Sequence, residues 1–180
     1  MNESQIIIIT GELESGKTSL CLDIADLAKE SGIKITGLVS PGVFVGGFKK
    51  AIDVQDLATG ERRRLAGLRE QVETDLETKR WSFFSEAVSW GNRLLQNALP
   101  TDMLIIDELG PLEFNRAQGW VKAFDAIDNG EFQTALLVIR PSLIQQASRR
   151  WKITRIIDLS GTGPLLPSRR ELWESFNIQN

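Results

Sequence analysis

The chain of 180 residues predicts an α/β fold, a mostly parallel twisted sheet flanked by helices with an antiparallel β-meander extension. Three observations carry that prediction. Short apolar runs of strand length alternate with segments of helical periodicity, as expected of strands covered by helices on both faces. The first such run breaks into a glycine-bracketed loop and then into an amphipathic helix. Residues 41–66 depart from this pattern, with turn residues Gly42, Gly46 and Gly47 among alternating apolar and polar positions, which reads as a hairpin or meander.

Gln5 to Thr10 is a continuous run rich in β-branched residues, ended by Gly11 and predicted as a buried strand. From Lys17 to Ser31, Leu20, Ile24, Leu27 and Ala28 recur at helical spacing, and Gly32 stands at the C-cap. Lys34 to Ser40 is the second strand. In the meander, Ile52 and Val54 alternate with Asp53 and Gln55, and Thr59-Gly60 turns into a short strand ending at Leu65. After a polar connector, Phe84 to Leu99 carries Ala87, Val88, Leu94, Leu95 and Leu99 in helical register and is closed by Pro100. Met103 to Asp107 is a further apolar strand. Asn115 to Ile127 reads as one helix with Trp120, Ala123, Phe124 and Ile127 on a face, and Thr134 to Ile139 as the next strand. Pro141 to Arg149 is a predicted helix and Thr154 to Leu159 the last strand. Ser168-Arg169-Arg170-Glu171 forms a capping box that opens a final helix through Phe176. With no repeat, linker or low-complexity segment, residues 1–180 read as a single domain.

Composition removes several chemistries. The sequence has no His, which excludes His general bases, Ser-His-Asp triads and HExxH zinc sites, so any catalytic base is a carboxylate or Lys. The single Cys21 cannot form an intrachain disulfide and is expected to be a small buried apolar residue. A domain of this length buries roughly 70% of its unfolded surface and needs no staple. With 21 Lys plus Arg against 24 Asp plus Glu, the charge of −3 argues against broad binding to nucleic acid or an anionic membrane. The apolar runs Ile6 to Ile9 and Leu136 to Ile139 fall far short of the roughly 20 residues that span a bilayer. Met1-Asn2-Glu3-Ser4 carries no basic region ahead of the motif at residue 11, so the chain is expected to be cytoplasmic.

Gly11-Glu12-Leu13-Glu14-Ser15-Gly16-Lys17-Thr18 matches GxxxxGK[ST] and follows a buried strand at the start of a helix, the context a P-loop requires. Backbone N–H groups and the helix N-terminus then cradle the β-phosphate, Lys17 bridges the β- and γ-phosphates, and Thr18 ligates Mg²⁺. Gly11, Glu12, Leu13, Glu14, Ser15, Gly16, Lys17, Thr18 and Ser19 are the predicted nucleotide-binding set. Glu12 and Glu14 bring negative charge beside the triphosphate, and position 14 places a non-glycine residue where the loop's dihedrals are demanding.

Met103 to Glu108 is an apolar run ending in two carboxylates, the form of a Walker B strand. Asp107 is predicted to belong to the Mg²⁺ shell at the strand's C-terminal edge, and Glu108 to orient or deprotonate the attacking water. Lys17 and Glu108 are thus the catalytic candidates, Thr18 and Asp107 the metal candidates. Asp107-Glu108-Leu109-Gly110 also satisfies DxxG, but the chain holds no Asn-Lys-x-Asp guanine-recognition segment, which argues against a regulatory GTPase.

With Ile52 to Arg62 and Asp107-Glu108-Leu109-Gly110-Pro111-Leu112-Glu113, these residues resemble the THEP1-type nucleoside-triphosphatases, the family that includes the human cancer-related nucleoside-triphosphatase. The resemblance covers most of the chain. It implies a RecA-like P-loop domain, Mg²⁺-dependent hydrolysis of nucleoside triphosphates to diphosphate and phosphate, slow turnover and broad base tolerance. Three positions depart from or vary the family pattern. Leu13-Glu14 stands where the family usually has Pro-Gly, Ser168-Arg169 where it tends to have Asn-Arg, and Arg140-Pro141 keeps a Pro found in some members.

Arg140 lies at a strand end near the phosphate edge, where an Arg can stabilise γ-phosphate charge or form a structural ion pair. Lys49, Lys50, Arg62, Arg63 and Arg64 near Trp81, and Arg149-Arg150-Trp151-Lys152, suit nucleic-acid stacking less well than solvated edges and a helix terminus. Trp81, Trp90, Trp120, Trp151 and Trp173 are expected to pack in or against the core. The expected partner is a nucleoside triphosphate, without membrane or nucleic acid. The chain is read as a monomer, and a protein partner supplying an arginine is left open. Two alternatives stand beside hydrolysis. One is a small-molecule or nucleotide kinase whose lid is residues 66–80 with Arg69, Lys79 and Arg80. The other is a nucleotide-dependent binding module without turnover.

Overall fold

Each central strand sends alternate side chains into two separate cores, which is why its sequence shows no polar face. In β1 (Gln5–Thr10), Ile8 joins one core while Ile7 and Ile9 join the other. β8 (Met103–Leu109) divides Leu104 and Ile106 from Met103 and Ile105, and β9 (Thr134–Ile139) divides Leu137 and Ile139 from Leu136 and Val138. The first core is closed by α2 (Ser85–Gln96), α4 (Val121–Asn129) and α5 (Ile144–Arg150), and the second by α1 (Lys17–Glu30) and α6 (Arg169–Glu174). This computed structural model describes residues 4–161 and 168–178, so the expectation drawn from Met1-Asn2-Glu3 lies outside the described residues.

β10 (Arg155–Asp158), β1, β9, β8 and β2 (Ile35–Val39) lie side by side and parallel. Beyond β2 the sheet turns antiparallel through β4 (Phe48–Asp56), β5 (Arg62–Leu68), β7 (Trp81–Phe83) and β6 (Leu76–Glu77). β3 (Gly42–Val45) pairs with β4 alongside the stretch that β2 leaves free. Gly37 lets β2 press against β8: its φ is +114°, and a Cβ there would lie 1.9 Å from the carbonyl oxygen of Ile105.

Three expectations are corrected. The antiparallel part does not stop at residue 66 but runs to Phe83, so the stretch read as a polar connector and candidate lid contributes β6 and β7 to the sheet. The single helix over Asn115–Ile127 is two, α3 (Pro111–Arg116) and α4, because Ala117 (φ 50°) and Gly119 (φ 72°) take left-handed conformations that no continuous helix accommodates. The segment from Pro141 begins as a 3₁₀ turn, Pro141–Leu143, before α5. The final capping box forms as expected, with Ser168 Oγ accepting the Glu171 N–H and Glu171 Oε2 accepting the Ser168 N–H at 2.8 Å.

Candidate active site at the carboxyl edge of the sheet

β1 ends at Thr10, and the loop from Gly11 delivers the chain to α1 through Gly16, whose φ of 89° makes the sharp entry that a side chain would strain. Glu14 holds φ 60° without being glycine. Glu12, Leu13 and Glu14 point to solvent, Leu13 with 74% of its surface exposed, while Ser15 is half-buried and Ser19 is exposed on the first turn of α1. The Lys17 ammonium lies back across the loop. It donates to the Gly11 carbonyl at 2.9 Å, to Ser15 Oγ at 3.1 Å and to the Glu12 carbonyl. Burial lowers the Lys17 pKa, and the facing charges of Glu108 and Asp107 oppose that shift.

Asp107 is 2% exposed at the carboxyl end of β8. Its Oδ2 accepts the Ser40 N–H at 2.9 Å, and the Thr18 side chain faces the same carboxylate. Burial pushes its pKa up to about 6, against the opposing pull of the Ser40 N–H and of Thr18. The β8–β9 register shifts between Ile106 and Leu109, and within that irregularity Glu108 takes φ 69°. A bulge of this kind re-aims one side chain while its neighbours stay in the sheet, and here Asp107 and Leu109 are buried while Glu108 faces solvent. Glu108 Oε1 is paired with the guanidinium of Arg140, whose Nε lies at 3.2 Å.

The structure gives roles to two residues outside the predicted binding, catalytic and metal sets, Ser40 and Glu113. Ser40 contributes the N–H that fixes Asp107, and its own Oγ is buried without a hydrogen-bond partner among the described residues, as is Thr10 Oγ1 at the same sheet edge. Its sequence signal is position alone, at the end of a parallel strand where such folds bind ligands. Glu113 caps α3: Oε2 accepts the Gly110 N–H at 2.8 Å and Oε1 the Trp120 N–H at 2.9 Å. Gly at the N-cap, Pro at N1 and Glu at N3 were its sequence signal. This carboxylate ties the turn that follows Asp107 and Glu108 to the start of α4.

The basic meander is paired internally. Arg64 Nε lies 2.6 Å from Asp53 Oδ1, Arg63 bonds Glu61 and lies over Trp90, and Arg62 bonds Gln55. The tryptophans are buried or half-buried, and Cys21 is fully buried, where desolvation raises its thiol pKa. Among the described residues no helix is long and apolar enough to cross a membrane.

A parallel α/β sheet whose first strand feeds a glycine-bracketed loop, with a buried Asp facing the Thr after the loop's Lys, defines the class of P-loop nucleotide-binding proteins. Comparison with known proteins narrows the class. The NTPase family model matches residues 6–157. Nucleoside-triphosphatase THEP1 of Pyrococcus abyssi is 30% identical over 129 residues, covering 68% of each chain. Its counterpart from Methanopyrus kandleri is 28% identical over 108 residues, 59% of this chain and 58% of that one. The chain belongs to the THEP1 nucleoside-triphosphatase family. It spans about three fifths of the length of the first curated relatives it matches. The solved structure of the human cancer-related nucleoside triphosphatase shares the fold, with a TM-score of 0.70 at 18% identity over 96% of this chain and 95% of that one.

Proposed function

We propose that this chain is a Mg²⁺-dependent nucleoside-triphosphatase that releases the γ-phosphate of triphosphates with different bases. The observation that carries the reading is the placement of Thr18, on the helix that follows the loop, facing the buried carboxylate of Asp107, with Glu108 next along the same strand. A hydroxyl and a carboxylate are hard oxygen donors of the kind Mg²⁺ takes alongside water and substrate phosphates. The unpartnered hydroxyls of Ser40 and Thr10 leave further oxygen atoms at that edge. Thr18 and Asp107 would therefore hold the ion, which when bound supplies charge neutralisation at the β- and γ-oxygens.

The chain's own groups do the rest. Loop N–H groups and Lys17 bind the β- and γ-phosphates, contacts blind to the base and therefore consistent with wide base tolerance. Glu108 orients a water and takes its proton as the water oxygen attacks the γ-phosphorus. The bond from the γ-phosphorus to the bridging oxygen breaks, the electron pair leaves with the diphosphate, and inorganic phosphate is the second product. Hydrolysis is favoured over phosphoryl transfer because the arginines of the stretch read as a lid are engaged on the sheet. Arg69 pairs with Glu77 at 2.8 Å, and Arg80 bonds the Lys49 carbonyl and lies over Trp81.

Phosphate release from ATP, GTP, CTP and UTP with Mg²⁺ and no acceptor tests the proposal. The wild type is expected to turn over all four, and Lys17→Ala and Glu108→Gln to lose on the order of 100-fold or more. A wild type no faster than these variants would overturn it.

A further inference from the structure

We propose that Arg140 is the γ-phosphate-responsive residue of this site. Without nucleotide it is held by Glu108; a triphosphate, but not a diphosphate, draws it onto the γ-phosphate and leaves Glu108 free for the attacking water. The inference rests on the nucleotide reading of the P-loop given above.

Topology places Arg140. β9 lies between β1, which feeds the phosphate loop, and β8, which carries Asp107 and Glu108. Arg140 is the first residue beyond β9, whose last residue Ile139 is paired with Leu109. The Lys17 ammonium lies within electrostatic reach of both Glu108 and Arg140, which border the same region of the sheet edge. A γ-phosphate gripped by Lys17 enters that region.

The backbone at Arg140 is fixed while its side chain is not. Pro141 follows it, and the Arg140 carbonyl accepts the Leu143 N–H at 2.9 Å to close the 3₁₀ turn. The side chains of Arg140 and Glu108 are 49% and 45% exposed. An ion pair with that exposure is screened by solvent and contributes little net stability. Its geometry is also incomplete, because Nε and a terminal nitrogen of the guanidinium both meet the single oxygen Oε1 rather than one oxygen each. A γ-phosphate offers several oxygens and more negative charge, which suits the planar fork better. Exchange of partners is therefore favourable with a triphosphate. With a diphosphate the competing oxygens are missing and the Glu108 pair persists. Glu108 is thereby occupied by Arg140 until a hydrolysable substrate arrives.

The test compares affinities for a β,γ-imido triphosphate and for the diphosphate, both with Mg²⁺, in the full chain. The wild type is expected to prefer the triphosphate. Arg140→Ala should lower that preference about 10- to 100-fold by removing a charge-assisted hydrogen bond, while diphosphate affinity stays within about 2-fold. Arg140→Lys should recover part of it. Arg140 as a structural strand-end ion pair would instead change thermal stability and leave the affinity ratio unmoved. An unmoved ratio, or a wild type without triphosphate preference, overturns the proposal. Because the readout is binding, absence of turnover in the wild type would overturn the hydrolase reading and still leave the role of Arg140 decided by the ratio.

Discussion

Two carboxylate residues near the carboxyl edge of the sheet occupy left-handed backbone, and they differ in what that conformation does. At Glu108 the positive φ lies within a β-bulge and turns one carboxylate out to solvent while Asp107 stays buried beside it. At Glu14 the left-handed conformation belongs to the loop itself, and a side chain there costs about 1 kcal/mol. Glu14→Gly is therefore expected to raise the thermal midpoint by about 2–4 °C. The same substitution removes an exposed negative charge beside the triphosphate, so affinity should rise a few-fold at low salt and the gain should shrink as salt increases. Calorimetry and nucleotide titration at two ionic strengths measure both effects. An unchanged midpoint would mean that the loop carries Glu14 without strain.

Among the elements, the break between α3 and α4 is held by one side chain. Glu113 satisfies N–H groups at Gly110 and at Trp120, and a Cβ on Gly119 would lie 2.0 Å from its Oε1. Trp120 in turn packs against α2, where a Cβ on Gly91 would lie 2.4 Å from the indole. Burial pushes the Glu113 pKa up to about 7, more than its N–H partners pull it down. Because the folded protein then binds the proton more tightly than the unfolded chain, Glu113 favours folding below about pH 4.5, and that contribution is lost as pH rises through about 7. The loss is on the order of 3 kcal/mol. Glu113→Gln is expected to cost about 1–3 kcal/mol near pH 5, since an amide nitrogen then faces one of the two N–H groups. It should also flatten the decline between pH 5 and 8 that the wild type shows. Urea unfolding of the two proteins across that range measures the difference, and parallel profiles would count against a buried titrating Glu113.

At the scale of the molecule, stability is divided between the two faces of the sheet, and the second face depends on the C-terminal helix. Leu172 and Phe176, 3% and 1% exposed, close the core over Leu20 and Ile24 of α1, and Arg169 bonds Asp23 at 2.6 Å. Phe176→Ala should cost about 3–5 kcal/mol, because the sheet beneath cannot collapse to fill the space. Against a total of about 5–15 kcal/mol, that is a large share for one side chain. The expected result is a denaturation midpoint lowered by about a fifth or more; a smaller change would show that Phe176 is dispensable to the core.

The class of fold and the chemical cast of the candidate site were legible in the residues alone. Strands buried on both faces must be apolar throughout, so β1, β8 and β9 were legible as runs, and the phosphate loop was legible because its glycines and Lys17 are local backbone requirements. The spacing from Gly11 to Thr18 and the pair Asp107-Glu108 needed no partner to be recognised. Tertiary structure decided what depends on residues distant in sequence. β6 and β7 are too short to show a period and exist through pairing, β7 with β5 and β6 with β7. The helical pattern continued across Ala117–Gly119 because apolar spacing does not register the φ of a turn. Ser40 against Asp107 and Arg140 against Glu108 are juxtapositions made when β2 and β9 pack beside β8. A hydrogen bond between groups brought together by folding leaves no signature in either local sequence.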